Sequence, residues 1–276
     1  MKRSAVTIHP SAQVSPGAEL DSGVAIGPYT VIGPQVCIGK DTWVGPHAVI
    51  EGHTTLGQEN RVFQFASVGA IPQDKKYRGE ESRLVIGNRN TIREFATLNP
   101  GTSGGGMVTR IGDDNLFMVY SHVAHDCLIG NHVILANSAA LGGHVTLEDY
   151  ATVAALAAIH QFARIGESAY IGAGSMVSLD IPPYCLANGD RAHLYGLNLI
   201  GLKRRGFQPD QVAEIKKAYR TLFAEGLPLK DALACVCREH PSSAEVAHLA
   251  DFVACSPRGV CRPRGHANLE GEAEPS

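Results

Sequence analysis

The chain has 276 residues, of which 18% are charged, and its formal net charge is −3. This balance supplies no general basic field that would hold nucleic acid or an anionic membrane, so any basic site has to be local. With 30 Gly and 15 Pro but only 6% aromatic residues, the composition disfavours a helical bundle.

The cysteines and the N-terminus indicate the compartment. The seven cysteines are odd in number and scattered, with no CxxC pair, in a chain too long to need disulfide staples. The N-terminal MKRSAVTIHPSAQ lacks the apolar stretch of a signal peptide, and no run of about 18 apolar residues follows. We therefore expect a reduced, cytoplasmic protein with no stable membrane insertion and no nucleic-acid partner.

A six-residue period runs through most of the chain. Apolar, mostly aliphatic residues recur every six positions from Ile8 to Val68, in the same phase at 86–98, and after a one-residue shift from Ile111 to Val177, which makes 26 hexads. This period fits neither an amphipathic helix nor an alternating strand, but it fits a triangular solenoid with one inward aliphatic residue per face. Glycines that follow these residues are interpreted as allowing sharp corners.

Two segments interrupt the period, near residues 70–85 and 100–110. Both are polar or glycine-rich and lack periodic aliphatic residues, so we expect them to leave the solenoid as excursion loops. The first contains Asp74 and Lys76 within QDKKYRGE. Because long loops on a rigid scaffold often carry function, we predict a functional role for this one.

The C-terminal part has a different pattern. We place a solenoid domain at 1–197, a helical domain at 198–256 and a disordered tail at 257–276, which has almost no apolar content. Helical spacing of apolar residues begins after residue 207, a second helix follows Pro228, and a Ser242-x-x-Glu245 capping box precedes a third. We expect these three helices to cap the end of the solenoid.

Four histidines lie close together in the repeats: His122, His125, His144 and His160. Since residues about 18 apart stack on neighbouring coils, we expect them to line one groove. Asp126 follows His125 directly, and a carboxylate beside an imidazole can fix its tautomer and raise its basicity. Because no GxSxG or reactive-Cys motif accompanies them, His125 is predicted to act as a general base on a substrate hydroxyl.

Backbone N–H groups complete this candidate site. Gly142 and Gly143 precede His144, and a glycine N–H has no side chain to block it. Such a group is suited to donate a hydrogen bond to an oxyanion.

The motifs QDKKYRGE, HVAHDC, GGHV, IHQF and GLKRRGF occur in this order within residues 5–262. Together with the period, they resemble the UDP-N-acetylglucosamine 3-O-acyltransferases that start lipid A synthesis, a family of hexapeptide-repeat acyltransferases. The resemblance implies an all-β fold, a left-handed parallel β-helix, with a C-terminal α-helical subdomain. It also implies a homotrimer that transfers a (3-hydroxy)acyl chain from acyl carrier protein to the 3-hydroxyl of UDP-N-acetylglucosamine, without cofactor or metal.

The resemblance also implies residue roles. His125 would be the base, Asp126 its orienting carboxylate and Gly143 the oxyanion donor. Substrate would be bound by Asp74, Lys76, His122, His144, His160, Gln161, Asn198, Arg204 and Arg205. A local basic patch for an acidic carrier protein would combine the last two with Lys203, Lys216, Lys217 and Arg220.

Three positions bear on selectivity within the same resemblance. Ala173 stands where family members use Gly for longer acyl chains and a bulky residue for shorter ones, so we predict a chain somewhat shorter than Gly members accept. Arg191 stands where members often have His, at a position linked to the donor 3-hydroxyl. Ile200 stands where members have an acidic residue near the nucleotide.

Two other readings stay open from the sequence. Hexapeptide solenoids also host zinc sites of the carbonic-anhydrase type, although neither HxxxH nor a carboxylate-bearing ligand run occurs here. A hexapeptide solenoid can also be a structural module without catalysis. Metal analysis separates the first from the acyltransferase, and substitution of His125 separates the second.

Overall fold

A computed structural model describes residues 5–264. Within them, short parallel strands wrap into a triangular prism, and a helical part follows. This is the predicted left-handed parallel β-helix with C-terminal helices.

The strands and helices follow in chain order. The strands are β1 (Thr7–Ile8), β2 (Gln13–Val14), β3 (Glu19–Leu20), β4 (Ala25–Ile26), β5 (Val31–Ile32), β6 (Cys37–Ile38), β7 (Trp43–Val44), β8 (Val49–Ile50), β9 (His53–Leu56), β10 (Arg61–Val62), β11 (Ser67–Val68), β12 (Arg83–Ile86), β13 (Thr91–Ile92), β14 (Thr97–Leu98), β15 (Val108–Ile111), β16 (Leu116–Phe117), β17 (His122–Val123), β18 (Leu128–Ile129), β19 (Ile134–Leu135), β20 (Ala140–Leu141), β21 (Thr146–Leu147), β22 (Thr152–Val153), β23 (Ala158–Ile159), β24 (Arg164–Ile165), β25 (Tyr170–Ile171), β26 (Met176–Val177), β27 (Cys185–Asn188) and β28 (His193–Leu197). The helices are α1 (Leu199–Arg204), α2 (Pro209–Phe223), α3 (Leu229–Glu239) and α4 (Ala244–Ala254).

The prism has three faces, each a parallel sheet. Sheet A runs β1-β4-β7-β10-β13-β16-β19-β22-β25, sheet B runs from β2 to β26, and sheet C runs from β3 to β24. Beyond β25, sheet A continues into β27, which is parallel to β25, and β28, which is antiparallel to β27. Every coil therefore contributes one strand to each sheet and has three corners. We call the corners the A–B edge, the B–C edge and the C–A edge.

The periodic residues end the strands β1 to β26, so the predicted hexads are confirmed. From Ile26 onward their side chains form one continuous core with, for example, Ile50 and Leu98 fully buried, whereas Ile8 on the first coil is exposed. A second inward position, two residues earlier, was not part of the prediction: Ala48 and Ala96 are also fully buried. Because side chains alternate along a strand, a hexad presents two inward positions, and the narrow prism accepts mainly small residues at the second.

The glycines serve a purpose different from the predicted one. Gly27 and Gly39 do not have positive φ; instead, a Cβ at Gly39 would lie 2.6 Å from the carbonyl carbon of Gly57 on the next coil. The left-handed corner residues are mostly not glycine and come two residues later, as at Tyr29 with φ 57°. Glycine is therefore needed for close approach of coils, since no real Cβ fits at that separation.

A column of buried asparagines runs inside the C–A edge. Asn90 Nδ2 donates to the Gly112 carbonyl oxygen (3.0 Å), and Asn90 Oδ1 accepts from the Asn115 N–H (2.9 Å). Asn60 makes the equivalent contacts one coil earlier. These side chains form hydrogen bonds with backbone N–H and carbonyl groups at the corners. A small apolar side chain at the same position would leave those groups unpaired.

Both excursion loops leave the prism at the B–C edge. The strands that close them, β12 and β15, begin inside the predicted segments, so the loops are shorter than predicted. The cause is that Leu84 and Thr109 are inward residues and extend each returning strand to four residues.

The helical part starts with an unpredicted short helix, α1, capped by Asn198. The three predicted helices are present, but Ser243 rather than Ser242 caps α4, and its Oγ accepts from the Val246 N–H (3.3 Å). Tyr219 of α2 joins the prism core, which attaches the helices to the last coils. None of the helices within residues 5–264 is long and apolar enough to cross a bilayer.

The prediction of a disordered tail from residue 257 is wrong for residues 257–264. The Cys261 N–H donates to the Asp180 carbonyl oxygen (2.8 Å), and Val260 and Cys261 are buried. Backbone pairing with the last coil compensates for the low apolar content of this segment. The remainder of the predicted tail, 265–276, lies outside the described residues.

A charged cluster joins α4 to the prism. His248 Nε2 lies 2.9 Å from Glu148 Oε2, and Nδ1 lies 3.4 Å from Glu167 Oε2 and 3.1 Å from the Tyr184 hydroxyl. Hydrogen bonding to Glu148, and then to Glu167, raises the pKa of His248 to about 9. Because this pKa exceeds its ordinary value, the stabilisation is fully present below about pH 6.5 and is lost as pH rises through about 9.

Asn90→Ala is expected to lower the free energy of unfolding by about 1–3 kcal/mol for each buried partner left unpaired. Those partners are the Asn115 N–H and the Gly112 carbonyl. Urea unfolding at fixed protein concentration measures the change, with the exposed Gln58→Ala as the control, expected within about 0.5 kcal/mol of wild type. Equal stability of the two variants would contradict a stabilising column.

His248→Gln is expected to lower the melting temperature at about pH 6, and the difference from wild type should disappear at about pH 10. The physical reason is that the charge facing Glu148 and Glu167 exists only below the raised pKa of His248. Thermal melts of both proteins across this range provide the measurement, and His240→Gln on α3 is the control. A difference that is independent of pH would exclude the ionic contribution.

Candidate active site at the B–C edge

The B–C edge carries the histidine cluster. Asp126, His144 and Phe162 occupy the same left-handed corner position on successive coils, with φ of 60°, 61° and 66°. His125 precedes Asp126, and its ring contacts that of His144 edge-on with 5.1 Å between centroids. His144 in turn stacks on Phe162 at 4.3 Å. The coil repeat therefore brings together side chains that are about 18 residues apart in sequence.

The Asp126 carboxylate is fully buried and held by several donors. Its Oδ1 accepts from the Thr102 N–H (2.9 Å), and its Oδ2 accepts from the Thr102 hydroxyl (2.6 Å). His125 Nδ1 lies 2.8 Å from the same Oδ2. The Asp126 N–H donates to Thr109 Oγ1 (2.8 Å), which fixes the backbone of the corner.

These contacts determine the tautomer of His125. A carboxylate only accepts hydrogen bonds, so Nδ1 carries the proton that faces Asp126, and the neutral ring has its lone pair on Nε2. Gly143 lies against this side of the ring, where a Cβ would be 2.7 Å from Nε2. Among residues 5–264, no acceptor takes the Gly143 N–H. A base and a free backbone donor are thus adjacent.

The flanking imidazoles are kept neutral. Burial, and then the neighbouring His125, lowers the pKa of His122, whose Nδ1 lies 2.7 Å from Thr97 Oγ1. Burial also lowers the pKa of His144, with opposing contributions from Asp126 and Asp74. Both rings are therefore neutral near pH 7 and can donate or accept hydrogen bonds without adding charge to the site.

The adjacent thiol does not act as a nucleophile. Cys127 is fully buried, and burial raises the pKa of its thiol to about 12. Its Sγ donates to the Gly142 carbonyl oxygen (3.3 Å). Because the thiolate is the reactive form, this site has no activated cysteine.

The first excursion loop brings Asp74 towards the histidines. Asp74 is close enough to His144 for its charge to influence the pKa of that ring, and Lys76 is exposed beside it. Glu80 connects this loop to the second one, since its Oε1 accepts from the Ser103 N–H (3.0 Å). The two loops therefore form one structure over the B–C edge.

His160 and Gln161 lie farther along the same edge. Both are exposed, and His160 Nδ1 lies 2.9 Å from the Gln161 carbonyl oxygen and 3.2 Å from Arg258 Nη2. Arg258 comes from the segment predicted to be disordered, and its Nη2 also donates to Ser178 O (3.3 Å). The predicted groove is thus extended by a basic side chain that the sequence analysis missed.

The predicted nucleotide-binding residues lie elsewhere in the chain. Asn198 caps α1 and donates to the Ser168 carbonyl oxygen (2.9 Å). Arg205 pairs with Glu167 and lies 3.7 Å above the Tyr150 ring, while Arg204 and Ile200 are exposed. All of these are on the C–A side, so one chain by itself does not bring them to His125.

Two of the three selectivity positions, Ala173 and Arg191, lie together at the A–B edge. Ala173 is exposed at a corner between β25 and β26. Arg191 is exposed in the β27–β28 turn, which is bound to that coil because the Ala192 N–H donates to the Met176 carbonyl (2.9 Å). This edge is separated from His125 by the width of sheet B.

Three side chains at the B–C edge are spaced as metal ligands could be. Ligand atoms of His125, Asp126 and His144 lie within 4.8 Å of one another. However, both Asp126 oxygens already accept hydrogen bonds, and His125 directs its protonated nitrogen at the carboxylate. This donor set fits a hydrogen-bonded dyad better than zinc ligation, which needs deprotonated ligand atoms with free lone pairs.

Thr102, Gly105 and Thr109 also contact Asp126, and their role was not predicted from the sequence. Gly105 approaches Asp126 so closely that a Cβ would lie 2.0 Å from its carboxyl carbon. All three belong to the second loop or its returning strand, for which no function was predicted. The available signal was the glycine run GTSGGG, which indicates close approach of backbone to another group.

Comparison with known proteins identifies the family. Residues 180–261 match the model "Udp N-acetylglucosamine O-acyltransferase; Domain 2", and residues 109–143 match the bacterial transferase hexapeptide model. The acyl-[acyl-carrier-protein]--UDP-N-acetylglucosamine O-acyltransferase of Paracidovorax citrulli is 54% identical over 75% of this chain and 80% of its own, and that of Neisseria gonorrhoeae is 53% identical over 74% and 80%.

Solved structures agree with this assignment. The UDP-N-acetylglucosamine acyltransferase of Francisella novicida superposes with a TM-score of 0.90 at 36% identity, covering 96% of this chain and all of its own. That of Campylobacter jejuni superposes with a TM-score of 0.89 at 43% identity, covering 94% and 100%. The chain belongs to the acyl-[acyl-carrier-protein]--UDP-N-acetylglucosamine O-acyltransferase family.

Proposed function

We propose that this protein transfers a 3-hydroxyacyl chain from acyl carrier protein to the 3-hydroxyl of UDP-N-acetylglucosamine, the first step of lipid A biosynthesis. The observation that carries the proposal is the buried Asp126 carboxylate, which contacts His125 Nδ1 and leaves Nε2 of that ring beside the free Gly143 N–H. The names of the relatives supply the substrates, and the geometry supplies a base for a hydroxyl nucleophile.

The reaction is a direct acyl transfer. The sugar 3-hydroxyl attacks the thioester carbonyl carbon while His125 Nε2 takes its proton, and the Gly143 N–H donates to the oxyanion that forms. Collapse of the tetrahedral intermediate breaks the C–S bond, and the imidazolium returns the proton to the departing carrier thiol. Asp126 stabilises the transient positive charge on His125.

The remaining residues have binding roles in this proposal. Asp74, Lys76, His122, His144, His160 and Gln161 line the B–C edge near the sugar. Asn198, Arg204 and Arg205 bind the nucleotide, whose diphosphate suits guanidinium groups. Lys216, Lys217 and Arg220 extend the basic surface for an acidic carrier protein.

We propose that the protein acts as a homotrimer, because one chain carries these groups on three different edges and a neighbouring copy would bring them together. The A–B edge supports a contact between copies. Rings of Tyr29, His47, Phe65, Phe95 and Tyr120 stack along it at 4.8–5.2 Å, and Tyr29 and Tyr120 are 62% and 59% exposed. Such a continuous exposed apolar strip is typical of an interaction surface. A neighbouring A–B edge would bring Ala173 and Arg191 to the acyl chain.

We place the reaction in the cytoplasm. All seven cysteines are free thiols, which fits a reducing compartment. An acyl carrier protein thioester as donor agrees with that location.

His125→Ala is expected to reduce kcat by about 100- to 10,000-fold, because it removes the general base. The measurement is mass-spectrometric detection of acylated UDP-N-acetylglucosamine, formed by chelator-treated protein from 3-hydroxyacyl carrier protein. The control is His240→Ala at the end of α3, which is expected to match wild type.

Two outcomes would contradict this proposal. Full activity of His125→Ala would exclude the assigned base. A wild type that forms no product with any donor, yet binds one zinc per chain, would favour the zinc reading of the His125, Asp126 and His144 cluster.

Ala173→Gly is expected to shift the preferred donor to a longer acyl chain and Ala173→Met to a shorter one, because the side chain limits the space at the end of the chain. A series of 3-hydroxyacyl carrier proteins of increasing length, compared by kcat/KM, measures this. If wild type prefers the longest donor in the series and both variants keep that preference, Ala173 does not set the length.

A further inference from the structure

The second excursion loop, between β14 and β15, contacts the catalytic carboxylate rather than open solvent. Thr102 donates hydrogen bonds to Asp126 from both its backbone N–H and its hydroxyl, and Thr102 itself is buried. The Gly105 N–H donates to the Thr102 carbonyl oxygen (3.1 Å), which closes the loop over that carboxylate. Asp126 is therefore bound from the loop and from His125 at the same time.

We propose that Thr102 is a positioning residue whose hydroxyl, together with the space left by Gly105, holds the Asp126 carboxylate so that His125 keeps its Nδ1–H tautomer. This inference rests on the proposed acyl transfer and adds a role for the loop. Thr102 itself is separated from the reacting atoms by Asp126 and His125.

The Thr102 hydroxyl matters because it shares one oxygen of Asp126 with His125. Thr102 Oγ1 and His125 Nδ1 both contact Asp126 Oδ2, at 2.6 and 2.8 Å, whereas the Thr102 N–H contacts Oδ1. With all three donors present, the carboxylate plane cannot rotate without breaking hydrogen bonds inside a water-poor site. Without the hydroxyl, only one loop donor remains and the carboxylate can turn about its Cβ–Cγ bond.

Gly105 limits the carboxylate from the other side. A Cβ there would lie 2.0 Å from Asp126 Cγ and 2.3 Å from Oδ2, whereas a Cβ at the neighbouring Gly104 would meet only Thr102 Oγ1 at 3.8 Å. Neither glycine has positive φ, so alanine fits the backbone at both. The two positions therefore form a matched pair that differs in the contact with Asp126.

The test uses steady-state kinetics of the full-length protein. Thr102→Val is expected to lower kcat by about 10- to 100-fold, as when groups that orient metal-bound histidines are removed, with KM for UDP-N-acetylglucosamine little changed. Thr102→Ser, which keeps the hydroxyl, should restore most of the rate. Thr152→Val in sheet A, on the opposite face, and Gly104→Ala should match wild type, while Gly105→Ala should lose kcat.

A double-mutant cycle shows whether Thr102 acts through Asp126. Thr102→Val combined with Asp126→Asn should be no slower than Asp126→Asn alone, because residues that act in one chain of contacts are not additive. Additive losses would overturn the proposal. Equal kcat for Thr102→Val and wild type would overturn it as well.

Ring ¹⁵N spectra of histidine-labelled protein provide a readout that does not need activity. The His125 signals, assigned by their loss in His125→Gln, should show the Nδ1–H tautomer in wild type and a mixture in Thr102→Val. If wild type has no acyltransferase activity but the tautomer shifts in this way, the proposed function fails and the positioning role stands. An unchanged tautomer in Thr102→Val excludes the positioning role.

Discussion

The register between coils is the constraint on which the rest of the structure depends. Each strand pairs in parallel with the strand of the next coil, as Thr7 does with Ala25 and Ala25 with Trp43. A coil that contains extra residues has to release them at a corner, because any insertion within a strand would turn inward side chains outward. Both long insertions leave at the B–C edge, and that is where the histidines lie. The inserted residues are therefore confined to the edge where we propose that substrate binds.

The site combines one buried carboxylate, Asp126, with two flanking imidazoles, those of His122 and His144, whose pKa values are lowered. Burying a carboxylate without hydrogen-bond partners would cost free energy. The donors that contact Asp126 compensate for that cost. Burial lowers the pKa of His122 and His144, so that positive charge does not accumulate around His125. Positive charge can then develop on His125 during proton transfer, with Asp126 as its nearest partner. The buried Cys127 thiol adds structure without adding a second nucleophile.

The three edges differ in chemistry, although the same hexad builds all of them. The B–C edge carries His125, the proposed base, the A–B edge carries stacked aromatic rings and Ala173, and the C–A edge carries buried asparagines inside and the Glu167–Arg205 pair outside. The corner position with positive φ makes this possible, because its side chain points outward and repeats on every coil. Similar residues on successive coils then form continuous stacks. A single prism thus offers three surfaces of different chemistry.

The sequence by itself determined the fold and the identity of the dyad. The hexad period predicted β1 to β26, because a six-residue spacing of buried aliphatic residues fits neither an amphipathic helix nor an alternating strand. The adjacency of His125 and Asp126 is covalent. The sequence did not determine why glycine is needed at the corners, that residues 257–264 pack on the last coil, or that Thr102 contacts Asp126. Those depend on contacts between residues far apart in sequence: Gly39 with Gly57, Cys261 with Asp180, and Thr102 with Asp126. Loop conformation and backbone pairing have no periodic signal, so only the tertiary structure decided which atoms hold the Asp126 carboxylate.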